Sequence, residues 1–462
     1  MEKLNKAGVA AFKPLQTFII QQRRLILMKY IIYIALLFLS INTKAQALYF
    51  PPTAGNTWDT ISPSSLGWCQ DKIDTLIDYL GQRNTKAFIL LKDGKIVIEQ
   101  YYGTFTVDSA WYWASAGKSL TAFAVGLAQQ DGFLSINDTS SKYLGTGWTS
   151  CPAPKEDLIT IRNQLTMTTG LDDGTGDADC TVDTCLQYLA DAGTRWAYHN
   201  APYTLLDSVI YYATGQPLNL YLTQRLLLPT GMSGLYLPSG YNNVFFSKPR
   251  SFARYGLLIL NKGNWNGNQI MTDTNYFNQM VNTSQSLNNS YGYLWWLNGK
   301  SSYMVPGLQF VFQGSLNPAA PNDMFAALGK NGQLLNVVPS MNLVFIRMGD
   351  TPGGGGLVSP LFNDTIWQKL NDVFCNVNSI SEENQFQEMK ILPNPTRSNF
   401  TVDINSEDYT ITVCDVMGRT IFTKQNNKGR QDFNCSHFNN GVYLLIADNG
   451  KQRVVRKLVV EH

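Results

Sequence analysis

The sequence predicts an α/β protein: an antiparallel sheet flanked by helices, with a helical subdomain inserted into it, and a small all-β sandwich at the C-terminal end. Three observations lead there. Strand-like apolar runs lie near both ends of a long body, at 88–102 and 325–348, with a helix-rich middle between them. One helical stretch, 115–127, is apolar almost all round, and such a helix belongs inside a core. Beyond residue 390 the pattern turns to short alternating strands separated by Asn/Gly turns. The length, 462 residues, is enough for about three average domains. Hydrophobic residues make up 44% and charged residues 15%, which excludes a disordered polyelectrolyte. A formal net charge of +2, with no clustered basic stretch, makes nucleic acid an unexpected partner. Histidine is the scarcest resource: His199, His437 and His462 are all there are, and the body upstream of the sandwich holds only His199. A Ser-His-Asp triad or a multi-histidine zinc site has almost nothing to be built from.

Residues 1–45 read as a leader. Met28-Lys29-Tyr30 precedes an apolar core at 31–39, and Thr43-Lys44-Ala45 offers a small-residue cleavage site, the pattern of a secretory signal peptide. The segment before it is either an extended cationic region or lies upstream of the true start, so Met1 and Met28 both stand as initiators. The apolar run is short for a span, which needs about 20 residues. Residues 46–378 form the expected body, 379–390 a polar linker (SISEENQFQEMK), and 391–462 the sandwich. Within the body, 70–80 is helical. Runs 88–91 and 96–102 make a hairpin around Lys92-Asp93-Gly94-Lys95. The buried helix 115–127 stops before Asp131-Gly132, with Gly132 as its C-terminal cap. Late in the body 325–328, 334–338 and 343–348 are strands, and 365–373 is a closing helix. The sandwich strands are expected at 400–404, 409–413, 420–423, 442–447 and 453–460, with Asp448-Asn449-Gly450-Lys451 as a hairpin turn. An exported chain carries its seven cysteines into an oxidising compartment. Cys180 and Cys185, five apart, can close a small ring; Cys69 and Cys375 lie near the two ends of the body, and Cys414 and Cys435 in the sandwich. An odd total leaves at least one unpaired.

Chemistry concentrates at three places. Ser115-Ala116-Gly117-Lys118 opens the buried helix, and residues i and i+3 share a helix face, so the Lys118 amine can stand over the Ser115 hydroxyl. Burial penalises the ammonium, which makes Lys118 a candidate base. In Tyr198-His199-Asn200, a Tyr and an Asn two apart in an extended segment point the same way. Tyr198 can then relay a proton while Asn200 holds a substrate carbonyl. Finally, Leu328-Gly329-Lys330-Asn331-Gly332-Gln333 begins a strand whose glycine admits a substrate close to the backbone. The main-chain N–H of Gln333 can join that of Ser115 as an oxyanion hole. Each motif alone is common: a helix starting at serine, an aromatic-proline loop and an ordinary glycine turn are the plain alternatives.

Together, Ser-x-x-Lys, Tyr-x-Asn and Lys-x-Gly in this order resemble the three active-site motifs of the class C β-lactamase and penicillin-binding serine hydrolase superfamily. Segments between them share the resemblance. They are Asp131-Gly132-Phe133-Leu134-Ser135-Ile136-Asn137-Asp138, the stretch 160–171, Ala253-Arg254-Tyr255-Gly256-Leu257-Leu258, Trp265-Asn266-Gly267 and Tyr291-Gly292-Tyr293-Leu294-Trp295-Trp296. The likeness covers about residues 65–375 and implies a β-lactamase-like fold. It also implies Ser115 as acylated nucleophile, Lys118 and Tyr198 as the proton-transfer pair, Asn200 as the substrate-orienting residue, and Lys330 with Gly332 and Gln333 on the substrate and oxyanion side. No cofactor and no metal are implied. The third motif has Asn331 where Thr is usual, which argues against recognition of a penicillin-type carboxylate. His199 replaces a small residue and either assists or points away. The implied activity is hydrolysis of a small ester or amide. The alternatives are a D-alanyl carboxypeptidase, peptidase or β-lactamase, or a binding protein with a dead site. Trp295 and Trp296 read as packing or as cleft lining, and Gly353-Gly354-Gly355-Gly356 lacks the Lys-Ser/Thr of a phosphate loop. The chain has no Gly-x-Ser-x-Gly elbow.

The C-terminal region has its own resemblance. Ile391-Leu392-Pro393-Asn394-Pro395, Asp415-Val416-Met417-Gly418-Arg419, Gly441-Val442-Tyr443-Leu444 and Arg456-Lys457-Leu458-Val459-Val460 are similar to the type IX secretion sorting domain. That implies export through the periplasm, an encounter with outer-membrane secretion machinery, and a final place in the medium or on the cell surface.

Overall fold

A computed structural model describes residues 48–174, 176–353, 360–375, 389–404, 408–415, 419–450 and 453–462. The expected leader, residues 379–388 of the expected linker and residues 354–356 of the glycine run lie outside them. Both expected parts of the fold are present.

The body is built on a six-stranded antiparallel sheet that draws strands from both ends of the chain. Thr85–Lys92 pairs with Lys95–Tyr101 on one edge and with Leu343–Gly349 on the other. Gln333–Val338, Phe325–Gly329 and the short Trp296–Leu297 follow in that order. Every residue of Gln333–Val338 and Leu343–Gly349 is buried. This is why these strands read as mostly apolar runs and not as alternations: both faces are covered. On one face Phe345 meets Trp367 of the Pro360–Val373 helix at 5.6 Å between ring centres. Residues adjacent in a strand face opposite ways, and Val344 and Leu335 accordingly lie against the Pro249–Leu260 helix. There a side chain on Gly256 would come within 2.5 Å of Val344 and 2.6 Å of Leu335. The helices in the middle of the chain form the inserted subdomain.

Two boundaries differ from expectation in ways that matter. The Pro360–Val373 helix starts five residues before the expected 365, because proline is well suited to the first helical position. The buried helix is Lys118–Gln130, and Ser115 sits in a separate 3₁₀ turn, Ala114–Gly117, in front of it. A three-stranded sheet of Trp111–Tyr112, Asn242–Ser247 and Leu235–Ser239, which the sequence reading lacked, stands beside that turn.

The C-terminal region is all-β. Lys390–Leu392, Asn399–Asp403 and Arg430–Asn434 form one sheet, and Thr420–Asn427, Tyr409–Asp415, Gly441–Asp448 and Arg453–Val460 the other. Phe400, Val402, Ile411, Val413, Leu445 and Leu458 fill its core. The strand at 390–392 falls on the Ile391-Leu392-Pro393-Asn394-Pro395 stretch expected to open the module, whereas that at 430–434 was not expected, since a five-residue run with one apolar position gives too little alternation to detect.

Candidate active site

Ser115 is presented by a strained turn. Ala114, immediately before it, has φ 46°, a left-handed conformation unusual for a residue with a side chain. Such strain persists where the surroundings enforce it, and here they do. Trp113 stacks on Phe252 with ring centres 4.0 Å apart, donates its indole N–H to Ser247 Oγ at 2.8 Å, and donates its amide N–H to the Phe245 carbonyl at 2.8 Å. Behind the turn, tyrosine hydroxyls grip the backbone of the buried helix. Tyr236 donates to the Gly117 carbonyl at 2.9 Å, Tyr255 to that of Ser119 at 2.7 Å and Tyr276 to that of Ala122 at 2.6 Å. The helix can therefore be apolar all round and still be held in one place.

Lys118 Nζ donates to Ser115 Oγ at 3.2 Å. The lysine is only 3% exposed, and its amine lies over the rings of Tyr203, at 4.1 Å, and Tyr198, at 5.2 Å. Burial lowers its pKa from 10.5 to about 7, with the Asp179 carboxylate pulling weakly the other way. Tyr198 is also buried, with its ring stacked on Trp296 at 5.8 Å and edge-on to Tyr291 at 6.3 Å. Burial pushes the phenol well above its ordinary value, and nearby Ser115 opposes this in part. The buried Tyr198 Oη has no hydrogen-bond partner. Trp295 and Trp296 are fully buried, so they pack and do not line a cleft; Trp296 serves the site by holding Tyr198.

The rest of the second motif behaves differently from expectation. The chain is extended only to His199; Asn200 is the first residue of the Asn200–Thr204 helix. Its amide N–H₂ donates to Asp179 Oδ1 at 2.6 Å, while Asn200 Oδ1 is buried without a partner. His199 is 3% exposed, its Nδ1 has no partner, and burial lowers its pKa to about 4, so it is neutral at physiological pH.

The third motif is a 3₁₀ turn, Lys330–Gly332, between two strands. Lys330 is exposed. The Asn331 amide donates to the Tyr112 hydroxyl at 2.8 Å. Gly332 backs onto Arg347 and Phe362, and its carbonyl accepts from Arg347 Nη1 at 3.1 Å. Gln333 is fully buried and spends its side-chain amide on both backbone groups of Gly349, at 2.6 and 3.1 Å. The residue that touches the Ser115 turn is Gly329, paired with Gln333 across the hairpin. A Cβ on Gly329 would sit 2.5 Å from the Trp113 carbonyl oxygen and 2.9 Å from the Ala116 nitrogen. The structure thus brings Ser115, Lys118 and Tyr198 together, and places the Gly332 and Gln333 side of the turn against Arg347 and Gly349.

Residues 73–356 match the family model described as Beta-lactamase. The chain belongs to the Beta-lactamase family. Residues 390–461 match the Secretion system C-terminal sorting domain, which marks this family member for export to the cell surface or the medium. An uncharacterized protein of Alkalihalophilus pseudofirmus is 26% identical over 315 residues, which covers 60% of this chain and 85% of that one. Protein flp of Staphylococcus aureus is 26% identical over 187 residues, 36% of this chain, and the match spans only 37% of its own length. Two solved structures share the fold. The octameric penicillin-binding protein homologue from Pyrococcus abyssi has a TM-score of 0.51 at 14% identity and covers 84% of this chain and 99% of its own. A penicillin-binding protein homologue from Caulobacter crescentus has a TM-score of 0.50 at 12% identity and covers 66% and 98%.

Three residues of this Beta-lactamase family chain escaped the sequence reading of the site. Asp179 carried a signal, as the neighbour of Cys180, which closes a ring with Cys185 five positions on. Arg347 carried another, as a lone charge in the apolar strand Leu343–Gly349. Tyr112 carried none, because nothing in sequence links it to Asn331.

Proposed function

We propose that the chain is a secreted serine hydrolase that cleaves an ester or amide through an acyl-enzyme on Ser115. The carrying observation is the buried Lys118 amine hydrogen-bonded to Ser115 Oγ, with its pKa lowered to about 7. A neutral amine at that position takes the hydroxyl proton as Oγ attacks the substrate carbonyl. Burial keeps the Tyr198 phenol protonated, so it can give a proton to the departing alcohol or amine. The collapse leaves an ester on Ser115, which water hydrolyses by the same groups in reverse order. The main-chain N–H of Ser115 and one from the Gly329–Gln333 hairpin are the donors available to the oxyanion, and exposed Lys330 offers a cation to the substrate's far side. A second reading, a peptidase acting on cell-wall-type peptides, is favoured by the penicillin-binding protein homologues that share the fold. β-Lactam hydrolysis is disfavoured because the Asn331 amide is already spent on Tyr112.

A fluorophosphonate probe tests the reading. Mass spectrometry is expected to find one adduct, on Ser115, absent in Ser115→Ala; a folded protein that takes no adduct is instead a binding module. Short-chain nitrophenyl esters, D-amino-acid amides and a chromogenic cephalosporin then separate the substrate classes, and turnover of the cephalosporin ahead of the esters would overturn the ester and amide preference.

A further inference from the structure

Asp179 occupies a position that the three motifs do not account for. Its Oδ1 accepts from Asn200 Nδ2 at 2.6 Å. A carboxylate can only accept, so this bond sets the Asn200 amide one way round, nitrogen toward Asp179 and oxygen away. The loop bearing Asp179 is fastened at short range. Cys180 and Cys185 are joined, with Cα atoms 5.9 Å apart. The Ala178 carbonyl accepts the Ala201 N–H at 3.1 Å, and Asp177 Oδ1 accepts the Asp179 N–H at 2.9 Å. Two bonds therefore tie this loop to the first turn of the helix that carries Asn200, and the ring closes immediately beside them.

Asp179 is also set apart by its charge. Its neighbour Asp173 is paired with Arg195 at 2.6 Å, whereas Asp179 has no ion pair among the described residues. Its field instead falls on Lys118 and on buried His199. Lys118 itself is faced by Ser115, Tyr198 and Tyr203. The Asp207 carboxylate acts on Tyr203, and the Thr121 hydroxyl joins the Tyr203 and Tyr236 hydroxyls, at 3.4 and 2.9 Å. When Ser115 gives up its proton, the charge that forms on the Lys118 nitrogen is one that the Asp179 carboxylate favours.

We propose that Asp179 is a positioning residue of the Ser115 site, that it fixes the Asn200 amide and supplies the anion opposite the charge forming on Lys118, and that the Cys180–Cys185 ring is the clasp that keeps it there. The proposal rests on the reading of Ser115 and Lys118 as nucleophile and base. It makes activity sensitive to opening of a disulfide that touches no reacting atom.

The test is the pH profile of kcat/KM for a nitrophenyl ester, measured on the full chain. Removing an anion makes an ammonium easier to deprotonate, so Asp179→Asn is expected to lower the plateau and move the acid limb to lower pH. A shift of about 0.5 unit or more is the size that one charge several Å away imposes at an effective dielectric constant of about 20. Cys180→Ser/Cys185→Ser should move the limb in the same direction, and adding Asp179→Asn to that pair should move it no further. Asp179→Glu should recover part of the plateau. Loss of rate in Asp179→Asn with an unmoved limb would reduce Asp179 to an ordinary structural residue. A wild-type profile in the cysteine pair would remove the clasp, and additive shifts would do the same. The cysteine pair carries its own prediction should Asp179→Asn fold poorly. Fluorophosphonate labelling keeps the two levels apart: an adduct on Ser115 with an unmoved limb sinks Asp179 alone, and no adduct in the wild type sinks the site reading itself.

Discussion

Replacing Lys118 by Met is expected to abolish activity and yet stabilise the fold in acid. The amine has a pKa of about 7 in the folded chain against an ordinary 10.5. Between those values the unfolded chain holds a proton that the folded chain has released, so stability rises with pH across that window. Below pH 7 the folded state must carry a buried ammonium and the penalty is complete. At about 1.4 kcal/mol per pH unit the burden is roughly 5 kcal/mol at pH 6 and roughly 1.5 kcal/mol at pH 9.5. Methionine has similar length and no charge. It forfeits the bond to Ser115 and the contact over the Tyr203 ring, together about 2 kcal/mol. Lys118→Met should therefore be more stable than the parent by about 3 kcal/mol at pH 6 and no more stable at pH 9.5. Guanidinium unfolding followed by tryptophan fluorescence reads this cleanly: the chain has 10 tryptophans, and none lies in 391–462, so the signal belongs to the body. A variant less stable than the parent at pH 6, or an offset that does not change with pH, would refute an uncharged lysine at this position.

Substitutions at three further positions test the walls of the site. Gly329→Ala places a methyl against two backbone atoms of the Ser115 turn, so strand or turn must shift; kcat/KM should fall by roughly 10²-fold, while Gly332→Ala, strained at φ 68° and facing Arg347 and Phe362, should show chiefly as lost stability and cost far less activity. Equal losses would mean that Gly329 is not the contact that matters. Arg347 spends all its donors, on Thr85 Oγ1 and on the carbonyls of Arg83, Asn331, Gly332 and Asp350. Arg347→Met should lower unfolding stability by about 3 kcal/mol or more in the same fluorescence assay. Lysine, a point charge without the planar fork, should fail to rescue it.

Much of the fold was readable because burial on both faces writes itself into the chain as mostly apolar runs, as in 343–348 with Arg347 its one charge, and because a helix without a polar face has only one place to go. The catalytic constellation was readable to the extent that it is local. Ser115 and Lys118 lie three apart on one turn, and the lysine's chemistry follows from its apolar neighbours. What needs two distant segments was not readable. The Tyr112–Asn331 bond joins residues 219 apart and the Arg347–Thr85 bond residues 262 apart, and no periodicity records either. The third motif shows the same limit. Lys330-Asn331-Gly332 has the family's spacing, but which glycine meets the Ser115 turn depends on the hairpin register, which pairs Gly329 with Gln333. A short turn between strands shifts that register without altering the motif.

The scarcity of histidine now has a physical complement. A hydrolase needs, near neutral pH, one group that accepts a proton and another that gives one. Imidazole does both because its pKa lies between, but here the one histidine beside the site has been driven to about 4 by burial and cannot donate as a cation. Burial acts on amines and phenols in opposite senses, lowering the first and raising the second. The same apolar environment that holds the 118–130 helix therefore leaves Lys118 able to accept and Tyr198 able to donate over one range of pH. A single cause sets both halves of the pair. It follows that a polar residue introduced behind them, at Tyr203 or Trp296, should disturb base and acid together, and the two limbs of the pH profile should move toward the groups' ordinary values, the acid limb upward and the alkaline limb downward.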